Sequence, residues 1–478
     1  MAVSRREVIA GAGALAGATG VQACKTDETD SGADPGPATI DTIIVVMMEN
    51  RSFDHMLGGL TLAEGRTDLD GLTAEMSNPD DAGNLVHPYP NEIGCVEDPP
   101  HSWSAGHAQF NEGANDGFVR AYGGPGVMQY QVRTDVPILW ALADEYAVCD
   151  QYFCSVMSST WPNRFYAHCG TSLGMPGNDF PTEGSYPLPN VWAKLAEKGV
   201  EAQYYYSDLP FLMLVRDAWH ASQARYIEDF VRDAEAGRLP PVVWVEPGFS
   251  FNDDHPPHHV ALGQEFLAVI YKALSRSPQW NNCLLLITYD EHGGFFDHVP
   301  PPKCEDEYAA EGFDQLGFRV PSLAIGPYVK QGAVSTVLDH TSWLKFVCER
   351  HGLEPWTTRI ATANSLAAVL DTERMADRDP RPPIELPVFD FDEESLGSEC
   401  SYSGVLGPPP PPESTPGPPP PPGARPPTPM PAVVEPWHGL MRAVYREEDR
   451  TEEWLRLKRW LHAYLRDESP PTVFDRKR

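Results

Sequence analysis

Two stretches of the chain end an apolar run on a group of oxygen-bearing side chains. Thr42-Ile-Ile-Val-Val-Met-Met48 runs into Glu49-Asn50-Arg51-Ser52-Phe53-Asp54-His55, and Cys283-Leu-Leu-Leu-Ile-Thr-Tyr289 runs into Asp290-Glu291-His292-Gly293-Gly294. Carboxylates and an amide carbonyl are hard oxygen donors. Glu49, Asn50, Asp290 and Glu291, if brought together, would suit Ca, Mg or Mn better than a thiolate-preferring metal, with Zn still admissible. Either group alone reads equally well as a strand stopping at a solvated loop; the repetition is what points to chemistry. A continuous apolar run is the pattern of a strand covered on both faces, the usual state of a parallel sheet. In such sheets ligands gather outside the carboxyl ends of the strands, so two parallel strands would present both groups on one edge.

Three further segments carry candidate groups. In Ser158-Ser159-Thr160-Trp161-Pro162-Asn163-Arg164 the proline suits a first helical turn and the threonine before it an N-cap, which puts Thr160 at a helix amino terminus. Free N–H groups and the positive end of the helix dipole there favour a phosphate, although capping alone would also explain the residue. His101-Ser102-Trp103 reads by itself as a packing or surface motif. Asp253-Asp254-His255-Pro256-Pro257-His258-His259 has a metal-like composition on a loop stiffened by proline.

Taken together, these motifs and Thr288 to His298 resemble the bacterial phosphoesterase family of phospholipases C and acid phosphatases, a branch of the alkaline-phosphatase-like superfamily. The resemblance covers roughly residues 38–370. It implies an α/β fold, a three-layer α/β/α sandwich around a mainly parallel sheet. It also implies Thr160 as the attacking hydroxyl, with Ser158 and Ser159 as adjacent alternatives. His101 and His255 become phosphate-contacting groups, one of them the acid for the leaving alcohol, and Asn163 and Arg164 join the substrate-binding set. His258 and His259 are expected to face solvent, and His340 to pack or cap. Relatives with Asp-Asp at the last metal pair make Glu291 a departure that keeps an oxygen donor.

The chain's 478 residues leave room for a large α/β core, and a net charge of −32 opposes polyanions, which excludes nucleic acid as a partner. Ser4-Arg5-Arg6 before a weak Ala/Gly-rich run reads as a twin-arginine export signal over residues 1–24. Val21-Gln22-Ala23-Cys24 resembles a lipobox that would attach a lipid to Cys24, and serves equally as an ordinary cleavage site, so the product is periplasmic, membrane-anchored or extracellular. Residues 25–39 form a polar tether. An exported chain tolerates disulfides, and Cys149, Cys154 and Cys169 are close enough in sequence to brace a loop, though buried free thiols explain them as well.

Elements must then position the groups. Leu139 to Tyr146 has helical periodicity, Ala147 to Met157 has the composition of a short strand, and Pro241 to Glu246 reads as an inner strand. A helix over 263–274 before the Leu284–Tyr289 strand completes a βαβ unit. Val320 to Ile325 resembles a strand and His340 to Val347 a helix. The phosphoesterase domain spans 40–395, followed by a proline-rich spacer over 396–436. In the last segment, 437–478, Trp454, Leu457, Leu461 and Tyr464 recur at helical spacing; the stripe suits docking on the core or contact with a partner.

The reading is an exported phosphoesterase, a phospholipase C acting on phosphatidylcholine-like lipids through a metal-assisted phospho-threonine. An acid phosphatase acting on phosphomonoesters is the alternative, and an inactive surface lipoprotein the alternative of another class.

Overall fold

The computed structural model describes residues 37–91, 96–179, 185–218, 224–249, 251–388 and 447–467, with side chains of the last segment from 456. The proposed signal, Cys24, Cys95, Cys400 and the proline-rich spacer lie outside them. Strand β1 (Thr42–Met48) is buried throughout, as its unbroken apolar run requires. It is the middle of an eight-stranded sheet with β2 (Ala147–Val148), β3 (Ala202–Tyr206), β4 (Ala224–Tyr226), β5 (Val242–Glu246), β6 (Cys283–Tyr289), β7 (Leu323–Ile325) and β8 (Gly332–Ala333). The order is β8-β2-β7-β6-β1-β5-β3-β4. From β6 to β4 all neighbours are parallel, whereas β7 is antiparallel to both β6 and β2. The fold is therefore α/β with a mostly parallel sheet.

Register decides where the chemistry falls. Met48 pairs with Tyr289 across β1 and β6, and Val46 with Val245 across β1 and β5. One step further along each strand stand Glu49, Asp290 and Glu246, so three adjacent strands end in a carboxylate on one edge. The connection from β5 to β6 is a helix, Val260–Ser275, that crosses over β1 in the βαβ manner.

Alternation in β3 assigns the helical layers. Tyr204 points toward Trp192 of helix Val191–Lys198, while Tyr205 meets Phe230 of helix Ile227–Glu235 edge to face. Trp244 lies on the first face and meets His168 of helix Thr160–Cys169 and Trp343 of helix Ser342–His351. On the opposite face Gln264 of the crossover helix accepts from the N–H groups of Ile138 and Leu139 at 3.1 and 2.9 Å. It thereby caps helix Pro137–Glu145, whose own Val136 has no capping side chain.

The C-terminal helix Glu447–Leu465 spends its apolar stripe on this core rather than on a partner. Leu457, Trp460 and Leu461 are buried in the main hydrophobic cluster. Lys272 of the crossover helix caps its end, donating to the carbonyls of Tyr464 and Leu465 at 2.8 and 2.6 Å, and His462 meets Glu265 at 3.0 Å. Cys149, Cys154, Cys169, Cys283, Cys304 and Cys348 are free thiols, so among the described residues no disulfide braces the loop near Thr160. Among the described residues no helix is long and apolar enough to cross a membrane.

Candidate active site

The three carboxylates at the strand ends converge on Arg164. Its Nε lies 2.9 Å and one terminal nitrogen 2.7 Å from Glu49 Oε1, and the other terminal nitrogen pairs with Glu246 Oε1. Asp290 Oδ2 is 3.4 Å from Nε. Asp290 Oδ1 accepts the N–H groups of Asn50 and Glu291 at 3.0 and 2.8 Å, which ties the exits of β1 and β6 together. Asn50 sits at a φ of 55°, a left-handed conformation that asparagine tolerates better than most residues. Gly293 has to be glycine here: its φ is 62°, and a Cβ would stand 2.0 Å from the Asn50 carbonyl oxygen.

Thr160 Oγ1 faces the same cluster, 3.5 Å from Glu49 Oε2 and 3.4 Å from Asn50 Oδ1. Its two neighbours point elsewhere: Ser158 donates to the Pro176 carbonyl, and Ser159 donates to Asn178 Oδ1 at 3.1 Å. Ser159, not Thr160, is the N-cap residue, and Thr160 is the first residue of the helix. Asn178 supplies the cap by accepting the Trp161 N–H at 2.8 Å, which releases the Thr160 hydroxyl from that duty.

Two imidazoles complete the mouth. His101 and His255 meet edge to face with centroids 6.1 Å apart. Each donates Nδ1–H to a carbonyl, His101 to Pro99 at 2.7 Å and His255 to Pro256 at 2.5 Å, because a carbonyl can only accept. Nε2 is thereby the nitrogen each ring keeps clear of its carbonyl; that of His101 lies 3.3 Å from Asn50 Nδ2 and 3.6 Å from Glu291 Oε1. Burial acts to lower the His101 pKa, but Glu291 and Asp98 outweigh it and raise the pKa. Burial lowers that of His255. The two rings are thus pushed apart, the pattern of an acid beside a base.

The residues fit a divalent cation. Burial and Asp290 raise the Glu49 pKa against the pull of Arg164, and burial first, then Asp290, push Glu291 up to about 8 although His101 acts to lower it. Asp290 Oδ2 and Glu291 Oε1 are buried without a hydrogen bond. Buried carboxylate oxygens without a donor are costly, and a cation is what an oxygen-rich, positive-poor cluster lacks. Among the described residues, two groups have ligand atoms within 4.8 Å of one another, Asp98, His101 and His255 at the mouth and Asp54, Asp297 and His298 behind it. In the second group Arg319 already supplies the positive charge, 3.0 Å from Asp54 and 2.9 Å from Asp297.

The family model for phosphoesterases matches residues 40–354, more than half of the chain. The chain belongs to the phosphoesterase family. It is 38% identical to non-specific phospholipase C1 of Arabidopsis thaliana over 337 residues, 62% of this chain and 62% of that protein. It is 33% identical to phospholipase C A of Mycobacterium tuberculosis over 427 residues, 74% of this chain and 82% of that one. The chain thus spans less than two thirds of the plant relative's length. Among solved structures it is similar to a protein in the alkaline phosphatase superfamily from Vibrio parahaemolyticus. That match has a TM-score of 0.36 and 11% identity, covering 70% of this chain and 72% of that one.

Within this phosphoesterase site several residues differ from expectation. Asn163, expected in the substrate-binding set, is fully buried with its amide occupied: it accepts the Val156 N–H and donates to the carbonyls of Val156, Ser158 and Ser159, bracing the turn before Thr160. Arg164 is likewise fully buried and spent on carboxylates, because positions one helical turn beyond Thr160 face the sheet. His258 is buried rather than solvent-facing, with Nδ1 2.6 Å from Asp253 Oδ1, and half-buried His259 caps the crossover helix. His340 donates Nε2–H to the Asp290 carbonyl at 2.6 Å, a positioning contact.

Glu246 and Asp253 were missed. Glu246 carried a signal, an acid closing an apolar run as Glu49 and Asp290 do. Asp253 accepts the Glu49 N–H on its carbonyl at 2.7 Å and the His255 N–H on its carboxylate at 2.9 Å, contacts that no local pattern announces.

Proposed function

We propose that this phosphoesterase is a hydrolase of phosphoester bonds, a phospholipase C acting on phosphatidylcholine-like lipids through a phosphorylated Thr160. The observation that carries the reading is that, of three consecutive hydroxyls, only that of Thr160 faces the Glu49 carboxylate and the Asn50 amide oxygen. The names of the plant and mycobacterial relatives favour phospholipase C over acid phosphatase.

Glu49, Asn50, Asp290 and Glu291 would hold a divalent ion of the Ca, Mg, Mn or Zn class. Such an ion supplies Lewis-acid stabilisation of an alkoxide and of a phosphoryl oxygen. The chain's own residues do the rest. Thr160 Oγ1 forms the bond to phosphorus as the ester oxygen leaves, and Glu49 Oε2 is its nearest carboxylate acceptor for the hydroxyl proton. His101, the ring with the raised affinity for a proton, gives one to the leaving alcohol from Nε2. Water then cleaves the phospho-threonine: His255 Nε2, a lone pair in the neutral ring, takes the water's proton as its oxygen bonds phosphorus, the bond from phosphorus to Thr160 Oγ1 breaks, and Glu49 returns its proton to Thr160 Oγ1, while the proton on His255 replaces, through solvent, the one His101 gave up.

Thr160→Ser retains an oxygen at the helix terminus and should keep substantial turnover of phosphatidylcholine; Thr160→Val should be inactive per folded molecule. Acid quench followed by mass spectrometry should locate the phosphoryl adduct on Thr160. An adduct on Ser158 or Ser159, or full activity in folded Thr160→Val, overturns the assignment. A panel of phosphatidylcholine, glycerophosphocholine and phosphomonoesters separates phospholipase C from acid phosphatase, and turnover of none of them leaves the inactive lipoprotein. We also propose twin-arginine export, with a lipid on Cys24 as one route of membrane attachment. Lys at Arg5 and Arg6 should hold folded precursor in the cytoplasm, and normal export of that variant counts against it.

A further inference from the structure

Arg164 and Glu246 are both fully buried beneath the candidate cation site, and neither touches the mouth where substrate enters. Glu246 has no oxygen left for a cation. Its Oε1 takes Arg164, while Oε2 accepts the Tyr204 hydroxyl and the Trp244 Nε1–H, the latter at 3.0 Å. The Phe249 and Phe211 rings flank the guanidinium with centroids 4.9 and 5.8 Å from its central carbon. The guanidinium is therefore fixed by a charged anchor at one end and aromatic rings over it.

The consequence lies in which oxygens Arg164 does not take. Of the two Glu49 oxygens its Nε and one terminal nitrogen take only Oε1, leaving Oε2 facing Thr160. Asp290 Oδ2, at 3.4 Å from Nε, keeps no hydrogen bond at all. Without the anchor the guanidinium could swing onto those two oxygens, and its full charge would then be balanced by them alone.

We propose that Glu246 is a positioning residue for the cation site, holding Arg164 so that Glu49 Oε2 and Asp290 Oδ2 stay open to a divalent ion and offsetting the arginine's charge. This rests on the metal reading of the site given above. Residues that support metal ligands from behind typically change metal affinity by about 10–100-fold when removed.

The test is calorimetric titration of metal-stripped full-length protein with MnCl₂, wild type against Glu246→Gln and Tyr204→Phe, alongside thermal melts without metal. Glu246→Gln should bind Mn²⁺ about 10–100-fold more weakly, and its half-activating Mn²⁺ concentration should rise by the same factor while kcat at saturating Mn²⁺ recovers. Tyr204→Phe keeps both charges but frees one side of Glu246, and should weaken Mn²⁺ binding several-fold. A purely structural role predicts a lowered melting temperature with unchanged Mn²⁺ affinity in the folded protein. That result in Glu246→Gln, or in Tyr204→Phe should the first variant not fold, overturns the proposal. Wild-type protein that takes up no Mn²⁺ and ignores chelation would instead remove the metal reading itself.

Discussion

Replacing His298 by Asn should remove a defined, pH-dependent share of the stability that fastens the turn after Asn50. His298 Nδ1 lies 2.7 Å from Asp54 Oδ2, its backbone N–H donates to the same oxygen at 2.7 Å, and Nε2 reaches Asp70 at 3.0 Å. Burial acts to lower the imidazole pKa, but the charge and hydrogen bonds of Asp54 dominate and raise it from 6.5 to about 9. At 1.36 kcal/mol per pH unit that rise corresponds to about 3 kcal/mol. Because the folded state holds this proton more tightly, the contribution is complete below the unfolded value of 6.5 and is lost as pH rises through about 9. The lowered pKa of Asp54 is the same contact seen from its partner, present above 3.8 and lost as pH falls, so it is counted once. Urea denaturation of the full chain at about pH 6 and about pH 9.5 should therefore cost the wild type about 3 kcal/mol more than His298→Asn over that interval. At the lower pH the variant should be the less stable by a similar amount. Identical pH dependence in the two proteins would refute the reasoning.

Asp290→Asn should lose activity and metal together. Asn can still accept the two backbone N–H groups on its carbonyl, but its amide then turns toward Arg164 and the open oxygen is gone. Elemental analysis checks this, and unchanged metal content would place the ion elsewhere. Truncation after residue 400 should yield a destabilised protein rather than a self-sufficient core, because it strips Leu457, Trp460 and Leu461 from the main cluster. At ~1.5–3 kcal/mol per buried side chain the loss is about 4.5–9 kcal/mol, offset in part by the entropy of ordering the helix. A melting temperature equal to that of the full chain would show that the helix adds nothing.

Residues 43–48 and 284–289 were readable as parallel strands because a strand covered on both faces admits no polar alternation. The same logic made Glu49, Asn50, Asp290 and Glu291 legible as a set, since parallel strands must deliver their ends to one edge. Thr160 was readable at a helix start from Pro162. The edge strand Ala224–Tyr226 and its neighbour Ala202–Tyr206 were not, being short and poor in aliphatic residues. Direction within a motif was also beyond the sequence. Ser158, Ser159 and Thr160 are chemically interchangeable on paper, and only the path of the 170–179 segment, which brings Pro176 and Asn178 back to the first two, leaves the third free. Arg164 and Glu246 stand far apart in the chain and meet only because β5 lies beside β1 under the helix of Thr160. The apolar stripe of Glu447–Leu465 was visible, but what it covers depends on which surface is left open by the packed sheet and helices. Local composition determines an element and its polar face. Partners distant in sequence are set by packing, which depends on every element at once.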